Sequence, residues 1–405
     1  MSAAPQSFAA LRHPQYRVYF FGAALAMMGD SIEHVISYWI MFEKFRSPAL
    51  AGFAMLSHWL PFLFLAVWSG SLADRFDPRR IIQIGMGCFM AASLGWGLLF
   101  LADALEMWHA ALLLVLHGMA GMLWTPSAQV FIHDIVGEAQ LASAIRLTAT
   151  ARYLGLLFGP AVGGVILLAL GPAWGILFNV LIYVPFILWL WKAPYRRKAA
   201  AVARIRGYKE IFFVIKQIAP NPVIVGMTLL AGGASFLVGN AYQPQMPEFA
   251  TDLGKGDGGI TYSVLLAADA AGALSAGLLL ESRGLLPARP RTACVLAMLW
   301  CVAMGTFAFS SSYYFSLLVL FIAGFMELAF YAMAQTLVQL HAPAEIRGRV
   351  IGLFIMAALG MRAFGGVTVG LGGSLIGIHW SLALSAMALL AFIAILLGKY
   401  ARSWP

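Results

Sequence analysis

Six ionisable residues stand near the middle of long apolar runs in this chain: Asp30, His117, Arg152, Asp269, Glu327 and Arg362. The stretch "GFMELAFYAM" (324–333) shows the pattern, a single carboxylate in a run without any other charge. Carboxylates and imidazoles take up and release protons, whereas guanidiniums stay charged and hold anionic groups. Polar side chains recur around these residues at helical spacing. Glu327, Tyr331, Gln335 and Gln339 follow one another every four residues, and Asp30, Glu33, His34 and Ser37 every three or four, each set forming a stripe along one helix.

A charge at bilayer depth costs about 2.5–3.5 kcal/mol on the lenient insertion scale, so such residues face a cavity or a partner. Asp30, with a polar face around it, is the strongest candidate for binding protons or substrate. Two readings stand for Glu327 and Arg362, which lie at similar depth on consecutive runs: a static ion pair that fastens the C-terminal half, or two walls of a polar chamber. Asp269, among the small residues of "AADAAGALSAG", is either a hydrogen-bonded helix contact or a chamber residue. His34 and His58 fit satisfied core positions as readily as ligand positions.

The elements that carry these residues are membrane spans. Of 405 residues, 61% are hydrophobic and 11% charged, more apolar surface than a soluble domain can bury. Apolar runs long enough to cross a bilayer occur at about 18–42, 49–72, 81–103, 107–133, 141–170 and 172–192, then at about 221–246, 259–281, 291–311, 313–340, 349–378 and 380–399. The expected fold is an all-α integral membrane protein of twelve transmembrane helices in two pseudo-symmetric six-helix bundles. The units are 1–192, a basic linker at 193–220 with an amphipathic helix in "YKEIFFVIKQI", and 221–405. The segment before the first run lacks the apolar core of a cleavable signal peptide.

The net charge of +9 resides in short loops between the runs, a topology pattern and not a nucleic-acid surface. With both termini in the cytoplasm, the inner segments hold most Lys and Arg, and the outer loops hold only Lys44, Arg46 and Lys255. The expected location is a bacterial-type inner membrane. The halves also repeat at an offset of 207 residues: Gly70 with Gly277, Asp74 with Glu281, Glu138 with Glu345, Gly159 with Gly366 and Gly163 with Gly370. A parallel repeat of this kind builds a pseudo-twofold axis along the membrane normal, with a cavity between the halves.

Several chemistries are not expected. There is no G-x-x-x-x-G-K phosphate loop, and no histidine or Ser/His constellation of a membrane enzyme. Eight histidines show no metal-ligand spacing, and Cys88, Cys294 and Cys301 all lie inside apolar runs. No metal, cofactor or nucleic acid is expected, and the partners are a small-molecule substrate, protons as coupling ion and the lipid bilayer, with the chain acting as a monomer.

"GSLADRFDPRR" (70–80) resembles the signature loop of the major facilitator superfamily, with Asp77 where that pattern often has a second glycine. Gly70 permits close packing, Asp74 suits the positive end of a neighbouring helix, and Arg75, Arg79 and Arg80 can bridge to acids across the halves. "GLLFGPAVGG" (155–164), with Gly159, Pro160, Gly163 and Gly164, resembles the superfamily's antiporter motif, which implies export and a close-packed interface of a rocking bundle. "HDIVGEAQLASAIRL" (133–147), "APAEIRGRVIGLF" (342–354, with Glu345 and Arg347) and "GDSIEHVISYWIMFE" (29–43) are similar to the drug and siderophore exporter branch. The fourth-run coupling arginine of many such antiporters is replaced by His117 in "HGMAG". Asn240 and Gln243, in "GNAYQPQMPEF" where Pro244 and Pro247 interrupt the seventh run, resemble part of a bendable gate. The resemblance implies proton-coupled export of small amphipathic molecules by alternating access. The alternative it leaves open is uptake or flipping of a lysophospholipid-like or anionic substrate, held by Arg152, Arg362 and His117.

Overall fold

A computed structural model describes residues 7–45, 48–195, 208–239, 242–254, 260–283, 286–365, 369, 372–400 and 402–404. Helix starts follow local chemistry. Prolines open α1 (Pro14–Phe45), α2 (Pro48–Arg75), α3 (Pro78–Leu101) and later helices, at the position where a missing N–H costs no intrahelical bond. Asp77, in the place of the glycine, caps α3 by accepting the Arg79 backbone N–H at 2.9 Å, so the loop turns without needing a residue lacking a side chain.

From Met107 to Lys192 the chain is helical apart from Gly137 (φ +67°) and Gly171 (φ +73°), which divide it into α4 (107–136), α5 (138–170) and α6 (172–192). With ψ near 180° at a positive φ, both sit in a backbone region that essentially only glycine enters, so these two glycines make the reversals. After the short helix α7 (Tyr208–Ile218) come α8 (Pro222–Leu237), α9 (Met246–Asp252), α10 (Ile260–Arg283), α11 (Pro290–Ala308), α12 (Tyr313–His341), α13 (Ala344–Gly365) and α14 (Ile378–Tyr400). Among the described residues, nine stretches of helix are long and apolar enough to cross a membrane. Two of these stretches, Met107–Gly155 and Ala161–Lys192, hold the three helices α4, α5 and α6 between them, so with α1 and the broken α8–α9 span the total is the twelve-helix, two-bundle fold.

The seventh span breaks earlier than its prolines suggested, at Gly239 (φ +49°). Pro244 and Pro247 instead occupy the first turns of a 3-10 segment and of α9, where their lack of an N–H is harmless. α13 carries a π-helical segment, Met356–Gly360. The expected extension of that span to 378 passes through 366–371, of which only Val369 is described, and then a short helix, Gly372–Ile376; Gly366 and Gly370 of the repeat lie outside the described residues.

The halves interlock at the end that carries the signature loop. A Cβ on Gly70 would lie 2.0 Å from the Gly348 carbonyl oxygen, and one on Gly352 would lie 2.4 Å from that of Ala66, so α2 and α13 touch backbone to backbone. Asp74 Oδ1 accepts the Gly348 N–H at 2.6 Å and Oδ2 the Arg349 N–H at 2.9 Å, capping the start of α13. The repeat-related contact joins α10 to α5. A Cβ on Gly277 would meet Thr150 Oγ1 at 1.9 Å, and Glu281 accepts from Arg146 Nε at 2.9 Å and Nη2 at 2.7 Å and from the Ser143 hydroxyl. At the opposite end Lys44 donates to Asp103 at 2.6 Å, and the ammonium holds that exposed carboxyl below its ordinary value.

The Asp74 cap ties α2 to the start of α13 across the halves at this closed end. Asp74→Asn weakens a charged cap on a helix N-terminus worth about 1 kcal/mol. Spin labels at Phe76→Cys and Ala344→Cys are therefore expected to move further apart in the Asn variant, and an unchanged distance distribution would deny the cap any part in holding this conformation.

Candidate functional site

The N-terminal wall is built around His117. Gly118 makes it possible: a Cβ there would lie 2.0 Å from the Ser57 carbonyl oxygen, so α4 touches α2 and sets His58 beside His117, with ring centroids 5.7 Å apart. His117 Nδ1 lies 2.8 Å from Glu33 Oε1 and Nε2 lies 2.9 Å from Asp30 Oδ1, so one imidazole bridges two carboxylates of α1. Phe89 packs edge-on against it at 4.8 Å and is itself stacked on Tyr183. His34 lies 4.6 Å from His117, ring to ring, and its Nδ1 donates to the Asp30 carbonyl at 2.8 Å.

The polar stripe of α1 therefore divides. Asp30 and His34 keep 18% and 26% of their side chains exposed, but Glu33 keeps 2% and Ser37 is buried. At 100° per residue Glu33 and His34 point about a quarter turn apart. Glu33 turns into the bundle, where it accepts from Ser93 Oγ at 2.6 Å, and Asn179 donates to that hydroxyl at 3.2 Å. The expectation that Glu33 lines the chamber is corrected: it stands behind His117. Histidine spacing also misled, since residues 34, 58 and 117 are far apart in sequence yet converge through α1, α2 and α4. His58 is not a satisfied core histidine among the described residues, for its buried Nδ1 lacks a hydrogen-bond partner.

The facing wall comes from α10, α12 and α13. A Cβ on Gly324 would lie 1.9 Å from the Asp269 carbonyl oxygen, so α12 and α10 touch and bring Asp269 alongside Glu327. Asp269 Oδ2 accepts from Tyr242 at 3.2 Å while buried Oδ1 lacks a hydrogen-bond partner among the described residues. Tyr331 bonds Ser235 at 2.7 Å. Tyr331 and Gln335 are partly exposed; Glu327 and Gln339 are buried, and Gln339 donates to Gln129 of α4 at 3.0 Å.

Among the described residues Glu327 and Arg362 form no ion pair within contact distance; the Arg362 guanidinium instead lies 5.3 Å over the Trp59 ring of α2. Arg152, half-buried on α5, lies within electrostatic reach of Arg362, Asp30 and Glu327, so charges of both bundles share one region at mid-span. Gln243 is half-buried in the 3-10 segment, and Asn240 lies outside the described residues. A separate apolar cleft of about 590 Å³ between α11 and α14, lined by Cys301, Phe309, Phe315 and Met387 among others, is remote from these charges.

The motif arginines do not all cross the halves. Arg79 folds back on Asp77 at 2.6 Å and donates to the Ala193 carbonyl, which ties the loop to the end of α6. Arg80, Glu138 and Glu345 are exposed, and Arg347 lies 3.3 Å from His133 Nδ1 across the halves. Arg75 reaches Glu210 of α7 at 3.4 Å, and Arg349 reaches the same carboxylate at 2.9 Å, so the linker helix bridges α2 and α13. Glu210 was missed in the sequence, although its place as the lone acid of a basic amphipathic segment marked it.

Gly159 and Gly163 of the antiporter-like motif pack within the N-terminal bundle, where Cβ atoms would meet Ser31 Cβ at 2.3 Å and Ile32 Cα at 3.3 Å. A Cβ at Gly164 would meet open space, and Pro160 sits within α5. The motif therefore seats α1, with Asp30 and His34, against α5, and does not form the interface between bundles that was expected of it.

A family model described as transmembrane secretion effector matches residues 5–404. The chain belongs to this transmembrane secretion effector family of major facilitator transporters. The enterobactin exporter of Shigella boydii serotype 18 is 24% identical over 377 residues, covering 88% of this chain and 85% of that protein. The staphyloferrin A transporter of Staphylococcus aureus is 24% identical over 151 residues, and the match spans 37% of this chain and 38% of that transporter. Among solved structures, the human organic anion transporter MFSD10 superposes with a TM-score of 0.76 at 12% identity over 94% of this chain and 98% of that one. The proton:xylose symporter XylE gives 0.74 at 14% identity over 95% of each.

In this secretion-effector chain the acids at the loop end and at mid-span differ in their bonding, and stability separates them. Glu281→Gln leaves Arg146 without its carboxylate, a kind of loss that costs about 3–5 kcal/mol when a buried pair is broken. Glu327→Gln breaks no direct bond among the described residues. Thermal unfolding in detergent is expected to fall clearly for Glu281→Gln and by less for Glu327→Gln; the reverse order would mean that Glu327 fastens the fold.

Proposed function

We propose that this transporter exports small amphipathic molecules of drug or siderophore type from a bacterial inner membrane, in exchange for protons, by alternating access. Its termini lie in the cytoplasm, it works as a monomer, and residues 1–192 and 221–405 rock about the mid-span charges with 193–220 as the linker between them. The observation that carries the coupling is the carboxylate–imidazole–carboxylate chain Asp30–His117–Glu33, in which an imidazole replaces an arginine that could not exchange protons. Asp30 is the partly exposed end of that chain, so protons reach Glu33 through His117. Export is favoured by the enterobactin exporter's match along most of its length.

In this reading a proton on Asp30 and outward-bound substrate are mutually exclusive, and the ligand can shift the equilibrium only by its differential affinity for the two states. Arg152 and Arg362 favour substrates with an anionic group. That same pair favours a second reading, uptake or flipping of an anionic lipid-like molecule. Flux measured with both protein orientations resolved separates the two, since accumulation inside cells that is lost on deletion would count against export.

The coupling is tested in proteoliposomes. Substrate added on one side is expected to drive proton movement in the wild type, and Asp30→Asn is expected to lose the gradient-driven component while still binding substrate. Wild-type transport indifferent to the pH gradient would end the coupling reading.

A further inference from the structure

The three histidines of the N-terminal wall are arranged as ligands, which goes beyond the proposed transport and requires neither its direction nor its substrate. His34, His58 and His117 each offer one ring nitrogen, and these atoms all lie within 4.8 Å of one another. We propose that His34, His58 and His117, completed by Asp30 and oriented by Glu33, form a binding site for a divalent transition-metal ion of the Zn²⁺, Co²⁺ or Ni²⁺ class.

Two of the rings have one nitrogen engaged by an acceptor, which leaves the other for the site, and the third has a buried nitrogen with no hydrogen-bond partner among the described residues. His34 Nδ1 faces a backbone carbonyl, which can only accept, so the proton sits on Nδ1 and Nε2 is left as the donor atom to a metal. Glu33, itself held by Ser93, accepts from His117 Nδ1 at 2.8 Å. That is the carboxylate–histidine arrangement which fixes ring orientation in metal sites and leaves Nε2 as ligand. His117 Nε2 lies 2.9 Å from Asp30 Oδ1, and His58 Nδ1 is buried without a hydrogen-bond partner among the described residues. An imidazole lone pair and a carboxylate oxygen in such proximity repel unless a cation or proton lies with them.

The chemistry of the set selects the ion. Imidazole nitrogens with one carboxylate suit Zn²⁺, Co²⁺ and Ni²⁺ and suit Mg²⁺ and Ca²⁺ poorly. Ligands at about 2.0–2.1 Å around a four-coordinate ion stand roughly 3.4 Å apart, so closing on an ion takes shifts of about 1 Å. Asp30 and Glu33 together offset a double positive charge at a depth where an uncompensated one is costly. Arg152 also lies within electrostatic reach of Asp30. Trp59 and Phe89 pack against His58 and His117, with centroids at 4.6 and 4.8 Å, and hold water back from the rings. The partial exposure of His34 and Asp30 leaves a way in.

The test uses the full chain in lipid nanodiscs, freed of its purification tag and washed with chelator, titrated with CoCl₂, ZnCl₂, NiCl₂ and, as control, MgCl₂. Expected are saturable binding by calorimetry for the first three and not for Mg²⁺, and an intense visible Co²⁺ spectrum of nitrogen and oxygen ligands in low coordination. His34→Gln, His58→Gln and His117→Gln, checked as folded by their melting without metal, are each expected to weaken binding at least about tenfold. Glu33→Gln is expected to weaken it about 10–100-fold and to shift the Co²⁺ bands, the effect of losing an outer-shell partner. His379→Gln, which alters a half-buried histidine paired with Asp252 and remote from the three rings in sequence, is expected to bind as the wild type does.

Folded wild type without the Co²⁺ bands, or His58→Gln that binds as tightly as wild type, overturns the proposal. Gradient-driven transport by the chelator-washed protein is scored separately, so loss of the metal site and loss of the transport reading cannot be mistaken for each other.

Discussion

Charged groups buried between helices, at mid-span or at the closed end, must find inside the protein the partners that water would otherwise supply, and the whole arrangement follows from that constraint. His117 meets it by bridging two carboxylates, Asp74 by capping a helix, and Glu281 by taking up Arg146. Each of these bonds joins different helices, so each fixes a helix pair as well as satisfying a charge. The glycines beside them are the complement. Gly118 lets His58 approach His117, Gly324 lets Glu327 approach Asp269, and Gly70 lets Asp74 reach α13. Where a charge has to be matched across two helices, the backbone between them has been stripped to allow contact.

Much of this was legible in the sequence. Span count, the two-bundle fold and the family follow from apolar run length and the quoted motifs, because a bilayer sets the length of every helix that crosses it. Mid-span charges stood out for the same reason. What one helix's period can show is a face, and that was enough to set Asp30 beside His34. It was not enough to tell that Glu33 points away from the chamber, since its partner Ser93, and Asn179 that donates to Ser93, come from other helices. His58 and Glu210 needed tertiary contact before either could be read. The convergence of residues 34, 58 and 117 has no linear spacing to detect.

The repeat gives the closed end its logic and also its asymmetry. Asp74 and Glu281 occupy related positions and each reaches the opposite half, yet Asp74 binds backbone N–H groups at a helix start while Glu281 binds an arginine and a hydroxyl. One contact depends on the register of α13, whereas the other depends on a flexible side chain. α7 adds a third tie on one side only, through Glu210 to Arg75 and Arg349. A rigid-body motion that opens this end has to break the backbone-directed contact outright. The Arg146 side chain can follow its partner over part of the way.

This asymmetry bears on how the centre and the closed end communicate. Arg349, Gly348 and the close contact at Gly352 all lie on α13, and the same helix carries the π-helical segment Met356–Gly360 and then Arg362 over Trp59. In a π-helical turn the hydrogen bonds span five residues instead of four, so the helix changes register there, and such turns are frequent at functional sites. α13 is thus anchored at one end by Asp74 and at mid-span by Arg362, with that change of register between the two. Trp59 is the neighbour of His58 on α2, and so the charge of α13 and the histidines of the N-terminal wall meet on adjacent residues of one helix. On the proposed reading, a change of charge at Asp30 or His117 need travel no further than α2 to bear on the helix that holds the closed end.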